Sequence, residues 1–458
     1  MKKGIALVTA LITAVSLLAC GSSAATEKQE ETTETTAAAE TDVAGEESAE
    51  KSYKVEDMTF DGVELNIMTR ITNETQLDYF TKLTEEFNNS GAGITVNVEN
   101  IATEEDYLNK LRTAFASGET PNAFIEYGGT RVKEYIDANA LVDLTPYLEA
   151  DETYYGSFYD SALESVRYEG SDGTWGIPYQ QYIILLFYNR DLFEQNNLEA
   201  PKTLDDLMNV CESLKANGIK PFQVGEKSSF RFGHFSNCLL YGTYGVDAAE
   251  KLADGTMQYD GSEMLGIYQT ISDMYEKNYF GDDILSVDYA TEKSSFVAGE
   301  SAMIWGLNSD VMGTLNSSDV AFNVGVTAMP YGNEAYMTET QGGVNNVWYV
   351  SQMNKEQEEI DATVYWLKYI TSDDSLNSLV KDVPNIFGRQ FDMETDDTLM
   401  VEVMDIFNSM TAMKSDTQSY DDRSYMLDTV RTALQGLAMG STPEDCAAQI
   451  VDQISANE

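Results

Sequence analysis

Apolar and polar positions along this chain alternate between two periods. Glu64–Thr69 (ELNIMT) has the period of a strand, and Leu77, Phe80, Thr84 and Phe87 then recur at helical spacing. Ile94–Glu99 (ITVNVE) alternates again as a second strand. A helix through Tyr107, Leu108, Leu111 and Phe115 follows, closed by Ser117-Gly118, and Ala123–Tyr127 (AFIEY) predicts a third strand. Strand, helix, strand, helix, strand with short turns predicts an α/β layer on a mainly parallel sheet. Further on, Tyr182–Tyr188 (YIILLFY) is a continuous apolar run between turns, the pattern of a strand covered on both faces. Thr203, with Asp206 as capping partner, opens a helix through Leu207, Val210 and Leu214 that Gly218 stops. Tyr425–Ala438 predicts the penultimate helix, and Thr442-Pro443 with Asp445 opens the last.

The opening of the chain follows another pattern. Lys2 and Lys3 precede an apolar run from Ile5 to Ala19 that ends in Leu17-Leu18-Ala19-Cys20-Gly21. A charged start, a short apolar stretch and small residues at the end predict a secretory signal peptide over 1–19. The run is short of the ~20 apolar residues that span a bilayer. Leu-Leu-Ala-Cys resembles a lipobox, which implies cleavage before Cys20 and a lipid on its thiol; an ordinary signal peptide with an incidental Cys is the alternative. Residues 20–53 are Ala, Thr, Ser and Glu with almost no large apolar side chain. Such a stretch cannot bury enough surface to offset its ordering entropy, so it is expected to be a disordered acidic spacer behind the lipid.

Composition narrows the function classes. Loss of Lys2 and Lys3 with the signal peptide leaves 26 basic residues against 77 acidic ones, a net charge of −51. That charge repels phosphate backbones, so no nucleic-acid partner is expected. About 400 residues after the spacer exceed what one core usually supports, which predicts two lobes. With Cys20 lipidated, Cys211, Cys238 and Cys446 permit at most one disulfide, and free thiols are expected. His234 is the sole histidine, which excludes two-His metal sites. No Gly-x-Ser-x-Gly elbow and no phosphate-binding Gly-rich loop occurs. Among 77 acids a suitable carboxylate pair is always found, so that signal carries nothing for a glycosidase. Tyr154-Tyr155 has the look of a ferric-ion pair, but its acidic surroundings favour packing or exposure. No enzyme activity, metal or cofactor is expected.

Longer segments then resemble a family. LTEEFNNSGAGITVNVE and DYLNKLRTAFASGETPNAFIEYGG are similar to the opening of family-1 extracellular solute-binding proteins, which include maltose-binding protein and many ABC-importer lipoproteins. DGTWGIPYQQYIILLFYNRDLFEQNNLEAPKTLDDL, FVAGESAMIWG, FNVGVTAMP, QGGVNNVWYVS and ATVYWLKYITS follow in that family's order. The resemblance implies a periplasmic-binding-protein-like fold of two α/β lobes, joined by crossing strands around a ligand cleft. It implies a first lobe over 54–180, a second over 181–325, a return to the first over 326–385, and C-terminal helices on the second over 386–458. Crossings are expected near Tyr179–Ile183, Asn323–Ala328 and Asp382–Arg389.

Ligands of open α/β sheets sit beyond the carboxyl ends of strands. That rule selects Thr69, Arg70 and Asn73 after the first strand, and Glu126, Tyr127 and Gly128 after the third. The resemblance adds Tyr179, Gln180 and Tyr182, the turn Asn308-Ser309-Asp310, and Gly342-Gly343. Sugar-binding members usually carry Trp where this chain has Ser309; Trp305, like Trp348, is expected in the core. Flat aromatics bury the C–H face of a sugar while polar side chains meet its hydroxyls. Phe230, Phe232 and His234, in a dense loop with Arg231, and Tyr425, beside Tyr420, Asp421, Asp422 and Arg423, are candidates for this, each with ordinary packing as the alternative. Arg389 joins the list, although Arg70 and Arg389 are also suited to pairing with buried carboxylates. The resemblance implies a monomeric carbohydrate-binding lipoprotein on the outer face of a Gram-positive cytoplasmic membrane, serving ABC permease subunits. A polyamine or other cationic solute is the alternative ligand, and a surface glycoside-degrading lipoprotein the alternative class.

Overall fold

Residues 52–127, 132–168 and 170–457 are described by the computed structural model. The expectations for the signal peptide, Cys20, nearly all of the spacer and Gly128 lie outside the described residues. The predicted opening forms as β1 (Val63–Thr69), β2 (Ile94–Asn100) and β3 (Ala123–Glu126), with helices Glu74–Asn88 and Glu104–Ser117 between them. β1 is parallel to both β2 and β3. Gly118 caps the second helix at φ +77°, a left-handed conformation open to a residue without Cβ. The remaining strands are β4 (Ile177–Asn189), β5 (Met303–Leu307), β6 (Val324–Ala328), β7 (Glu339–Val350), β8 (Ile386–Phe387) and β9 (Ala412–Lys414).

β4 is thirteen residues long and serves two sheets. Its first half runs antiparallel to β7, and its second half to β5 and β6. β7 continues the first sheet by pairing antiparallel with β3, so the sheet order is β2-β1-β3-β7-β4. The expected all-round burial of the apolar run holds. Ile183, Leu185 and Phe187 pack into one core, while Ile184 and Leu186 face a second core with Trp305, Phe222 and Phe235. A strand covered on both faces buries both sets of alternating side chains, which is why the run Tyr182–Phe187 is apolar throughout.

Two expectations are corrected. The return to the first lobe is not made at Asn323–Ala328, because β6 stays paired with β4 in the second sheet. β7 makes it instead: with twelve residues it is long enough to pair with β9 at one end and β3 at the other. In the segment 386–458, helix Thr398–Ser409 packs on β6 of the second sheet, with Glu402 paired to Arg190, and the helices Met426–Leu437 and Pro443–Asn457 join the core around Trp305. The aromatic segment around Phe230 is not a loop but the start of helix Phe230–Tyr244.

The capping reading is met in detail. Thr203 and Asp206 exchange side-chain bonds with each other's backbone N–H at 3.1 and 3.0 Å, and Thr442 with Asp445 does the same. Cys211, Cys238 and Cys446 are buried thiols outside any disulfide.

Candidate functional site

Because β1 and β3 are parallel neighbours, the loops after them meet at one end of the first sheet. Asn100 shapes the loop after β1: its Oδ1 accepts from Thr69 Oγ1 at 2.9 Å and from Ile71 N–H at 2.7 Å. That loop holds the Arg70 guanidinium 3.6 Å from the centroid of the Tyr127 ring. The same group lies 3.7 Å from the Glu126 carboxylate and 3.8 Å from that of Glu104. Arg70, Glu126 and Tyr127 therefore assemble as the first-lobe wall, with Arg70 Nε buried and lacking a partner among the described residues.

The floor is built by the crossing strands. β4 shifts register against β7 at Gln180 and Gln181, a bulge that re-aims side chains inside an otherwise regular ladder. Gln180 Oε1 accepts from Asn346 Nδ2 at 2.8 Å, and Gln181 Nε2 donates to the Phe387 carbonyl at 3.1 Å. The other amide atom of each glutamine is buried and unpaired among the described residues, as are Asn345 Oδ1 and Gln341 Oε1 on β7. Gly342 and Gly343 face Ile183 and Tyr182 across the ladder. A Cβ on Gly342 would lie 2.8 Å from the Tyr182 carbonyl, so the strands meet here without side chains between them.

The second-lobe wall begins with Phe230, whose ring is edge-on to Tyr289 at 5.3 Å and tilted against His234 at 5.1 Å. Beneath it Arg231 is fully buried and bidentate to Glu292 at 2.8 and 2.6 Å, its guanidinium between Tyr289 and Trp305. Burial pushes the His234 imidazole down to about 4, against the pull of Asp416 and with the repulsion of Arg231 and Arg431. A neutral imidazole offers one donor and one acceptor. Asn308 Oδ1 accepts from Ile183 N–H at 3.1 Å, and its buried Nδ2 has no partner among the described residues. Ser309 is half-buried, and Asp310 keeps an exposed surface while the protein around its carboxyl desolvates it and raises its pKa, against the pull of Lys293 and Arg231.

Other expected residues point elsewhere. The Thr69 hydroxyl is engaged by Asn100, and Asn73 caps helix Glu74–Asn88 through Gln76 N–H. Tyr179 packs into the first core against Trp348 and Phe387, because β4 alternates and Gln180 takes the other side. Phe232 packs on Phe280 in the second core. Arg389 bonds Ser157 Oγ, the Thr371 carbonyl and Asp373, its alternative role as a structural ion pair. Tyr182 is largely buried in the second core but faces Asp416, and Tyr425 is half-buried with a hydroxyl that has no partner among the described residues. Tyr154 and Tyr155 hydroxyls are held by Thr371 and Arg167 rather than presented as a metal pair. A groove of about 690 Å³ beside Phe387, Arg389, Met404 and Met413 is lined by none of Arg70, Tyr127, Gln180 or His234.

Sequence reading missed Gln181, Gln341, Asn345, Asn346 and Asp416. A usable signal was present: amides at Gln180-Gln181 and Asn345-Asn346 interrupt strands that are otherwise apolar, and a polar residue inside a buried strand needs a partner.

Two α/β lobes on shared crossing strands, with convergent polar side chains at the crossing, define a two-domain solute-binding protein. Residues 72–376 match the bacterial extracellular solute-binding protein family, and the chain belongs to it. The ABC transporter periplasmic-binding protein YcjN of Escherichia coli K12 is 26% identical over 247 residues, 53% of this chain and 54% of its own length. The melibiose/raffinose/stachyose-binding protein MelE of Bacillus subtilis 168 is 23% identical over 238 residues, 50% of this chain and 52% of its own. The chain spans about a third to a half of the length of the curated relatives it matches. Among solved structures, a chitin oligosaccharide binding protein is similar with a TM-score of 0.73 and 21% identity, covering 87% of this chain and 99% of that one. That likeness establishes the shared fold.

Proposed function

We propose that this chain is the lipid-anchored extracellular solute-binding component of an ABC importer, and that it captures a carbohydrate in the interlobe cleft for delivery to permease subunits. The observation that carries the reading is the charge balance of the walls. Arg70 faces Glu126, Arg231 is paired with Glu292, and Arg431 faces Asp416. Around these pairs stand amides with unpaired atoms and the aromatic set Phe230, Tyr289 and Tyr127. A neutral polyhydroxyl ligand suits such a wall, since each hydroxyl both donates and accepts. A polyamine calls for carboxylates free of cationic neighbours, whereas Glu104 and Glu126 both lie against Arg70, and Glu292 and Asp416 each face an arginine. The sugars in the names of MelE and of the chitin oligosaccharide binding protein support the same direction. The chain acts as a monomer anchored through Cys20, on the outer face of a Gram-positive cytoplasmic membrane.

A thermal-shift screen of residues 52–458 tests the reading with melibiose, raffinose, stachyose, chitin oligosaccharides and spermidine. A ligand at 100 times its Kd adds about 2.7 kcal/mol of stability. A shift with one of the sugars is expected. A shift with spermidine alone overturns the carbohydrate assignment, and release of cleavage products from an oligosaccharide overturns the binding role.

A further inference from the structure

Asp416 follows β9 and stands where the second lobe meets the crossing strands. Its Oδ1 accepts from Asn237 Nδ2 at 2.9 Å and from Gln341 Nε2 at 3.1 Å. Its Oδ2 is 3.4 Å from Arg431 Nη2. Three elements thus converge on one carboxylate: helix Phe230–Tyr244, strand β7 and helix Met426–Leu437. Both charged side chains keep about a fifth of their surface open, at 21% for Asp416 and 20% for Arg431. The polar atoms around them are closed in and unsatisfied. Gln341 Oε1, His234 Nδ1 and Arg431 Nε are buried without a hydrogen-bond partner among the described residues.

The position is on the cleft side of the hinge. β9 pairs with Glu339–Gln341, the residues immediately before Gly342-Gly343, and these glycines face Tyr182 and Ile183 of β4. Arg431 lies over Gly233, one residue before His234, with its Nε 3.6 Å from where a Cβ on that glycine would stand.

We propose that Asp416 and Arg431, flanked by Gln341 and His234, form a second-lobe subsite for a vicinal diol of the solute. One hydroxyl donates to Asp416 Oδ2, and its neighbour accepts from the exposed part of the Arg431 guanidinium. Asn237 and Gln341 bond Oδ1, and the single long contact from Arg431 leaves Oδ2 a lone pair for this. The carboxylate and guanidinium offer an acceptor and a donor side by side, which matches adjacent hydroxyls and leaves the subsite without net charge. The subsite rests on the carbohydrate reading above and names the feature of the sugar that the second lobe recognises.

Calorimetry of wild type, Asp416→Asn and Arg431→Gln with melibiose, raffinose and stachyose tests the idea, beside crystals soaked in glycerol as the smallest vicinal diol. Each variant is expected to weaken the sugar that wild type binds by roughly ten- to a hundredfold, since a charged hydrogen-bonding partner is lost. Melting temperatures should stay close to wild type. Glycerol is expected between Asp416 and Arg431 in wild type and absent there in both variants. Unchanged sugar affinity in both variants overturns the subsite while leaving the carbohydrate reading intact. Failure of every sugar to bind wild type counts against that reading, and the glycerol soak then decides the subsite: glycerol lodged only elsewhere overturns it.

Discussion

Glu226 is fully buried near Arg231 and Glu292, with Oε2 accepting from Phe232 N–H at 2.8 Å and Oε1 unpaired among the described residues. Burial pushes its carboxyl up to about 9, against the opposing backbone bond and the Arg231 charge. The folded chain therefore holds a neutral Glu226 at neutral pH, while the unfolded chain ionises it above about 4.5. Stability from this group is complete below pH 4.5 and is lost as pH rises toward 9. Glu226→Gln keeps the shape without the ionisation. It should melt higher than wild type at pH 8, by an amount worth about 5 kcal/mol, and near wild type at pH 5. Parallel pH profiles in scanning calorimetry would remove the assignment. His234 runs the other way: its folded value of about 4 lies below 6.5, so its contribution is present above 6.5 and lost as pH falls toward 4. Trp305, fully buried among Phe222, Phe235 and Phe280, is a core residue as its strand position predicted. Trp305→Ala should cost about 3–5 kcal/mol in a denaturant titration. Its position was legible because an aromatic in the middle of an apolar strand is seldom a ligand contact. Gln341 and Asp416 were not legible, because their roles depend on each other across 75 residues.

At the scale of elements, the strands and caps were readable from periodicity and end signals, whereas the return crossing was misplaced. β6 and β7 carry similar short-range patterns, and only pairing along the whole of β7 distinguishes the crossing strand. The hinge is tightest at Gly388, whose N–H donates to the Tyr179 carbonyl at 3.0 Å. A Cβ there would lie 2.3 Å from the Pro178 carbonyl oxygen, so backbone must move. Gly388→Ala should lower stability by about 1–3 kcal/mol and shift solute affinity, since β8 is pushed off β4 at the crossing. Gly313 is the contrast. It lies within helix Asn308–Asn316 with nothing near its missing Cβ, so Gly313→Ala should stabilise by up to about 1 kcal/mol. Thermal melts of the pair separate the two effects; equal losses in both would show that the Gly388 contact is not what limits substitution.

At the scale of the molecule, β4, β7 and β8 pair at the crossing between the two cores, the place where hinge closure occurs in proteins of two lobes. Saturating solute should therefore contract the radius of gyration of residues 52–458 in solution scattering by a small, measurable amount. An identical curve with ligand bound would indicate a rigid pocket. The proposed tether belongs to the same scale. Cys20→Ala should move the protein from the membrane fraction to the medium, or block its processing, and mass spectrometry of the mature protein should find lipid at Cys20. A mature end at another residue would rule the anchor out.

The sequence by itself determined the α/β alternation, the two-sided burial of β4, the helix caps, and, through the order of its motifs, the family. These are local properties: a period of 2 or 3.6, a capping partner three residues on, or a run of matching segments each exists within a short window of chain. Which side chains share the cleft was decided only by tertiary structure. Arg70 with Tyr127, Gln180 with Asn346, and Asp416 with Gln341 and Arg431 are brought together by strand pairing and a bulge, and the same fold turns Tyr179, Phe232 and Arg389 away into packing. A one-residue change in register reverses the face of every side chain on a strand, so composition at strand ends names the candidates while pairing across the sheet selects among them.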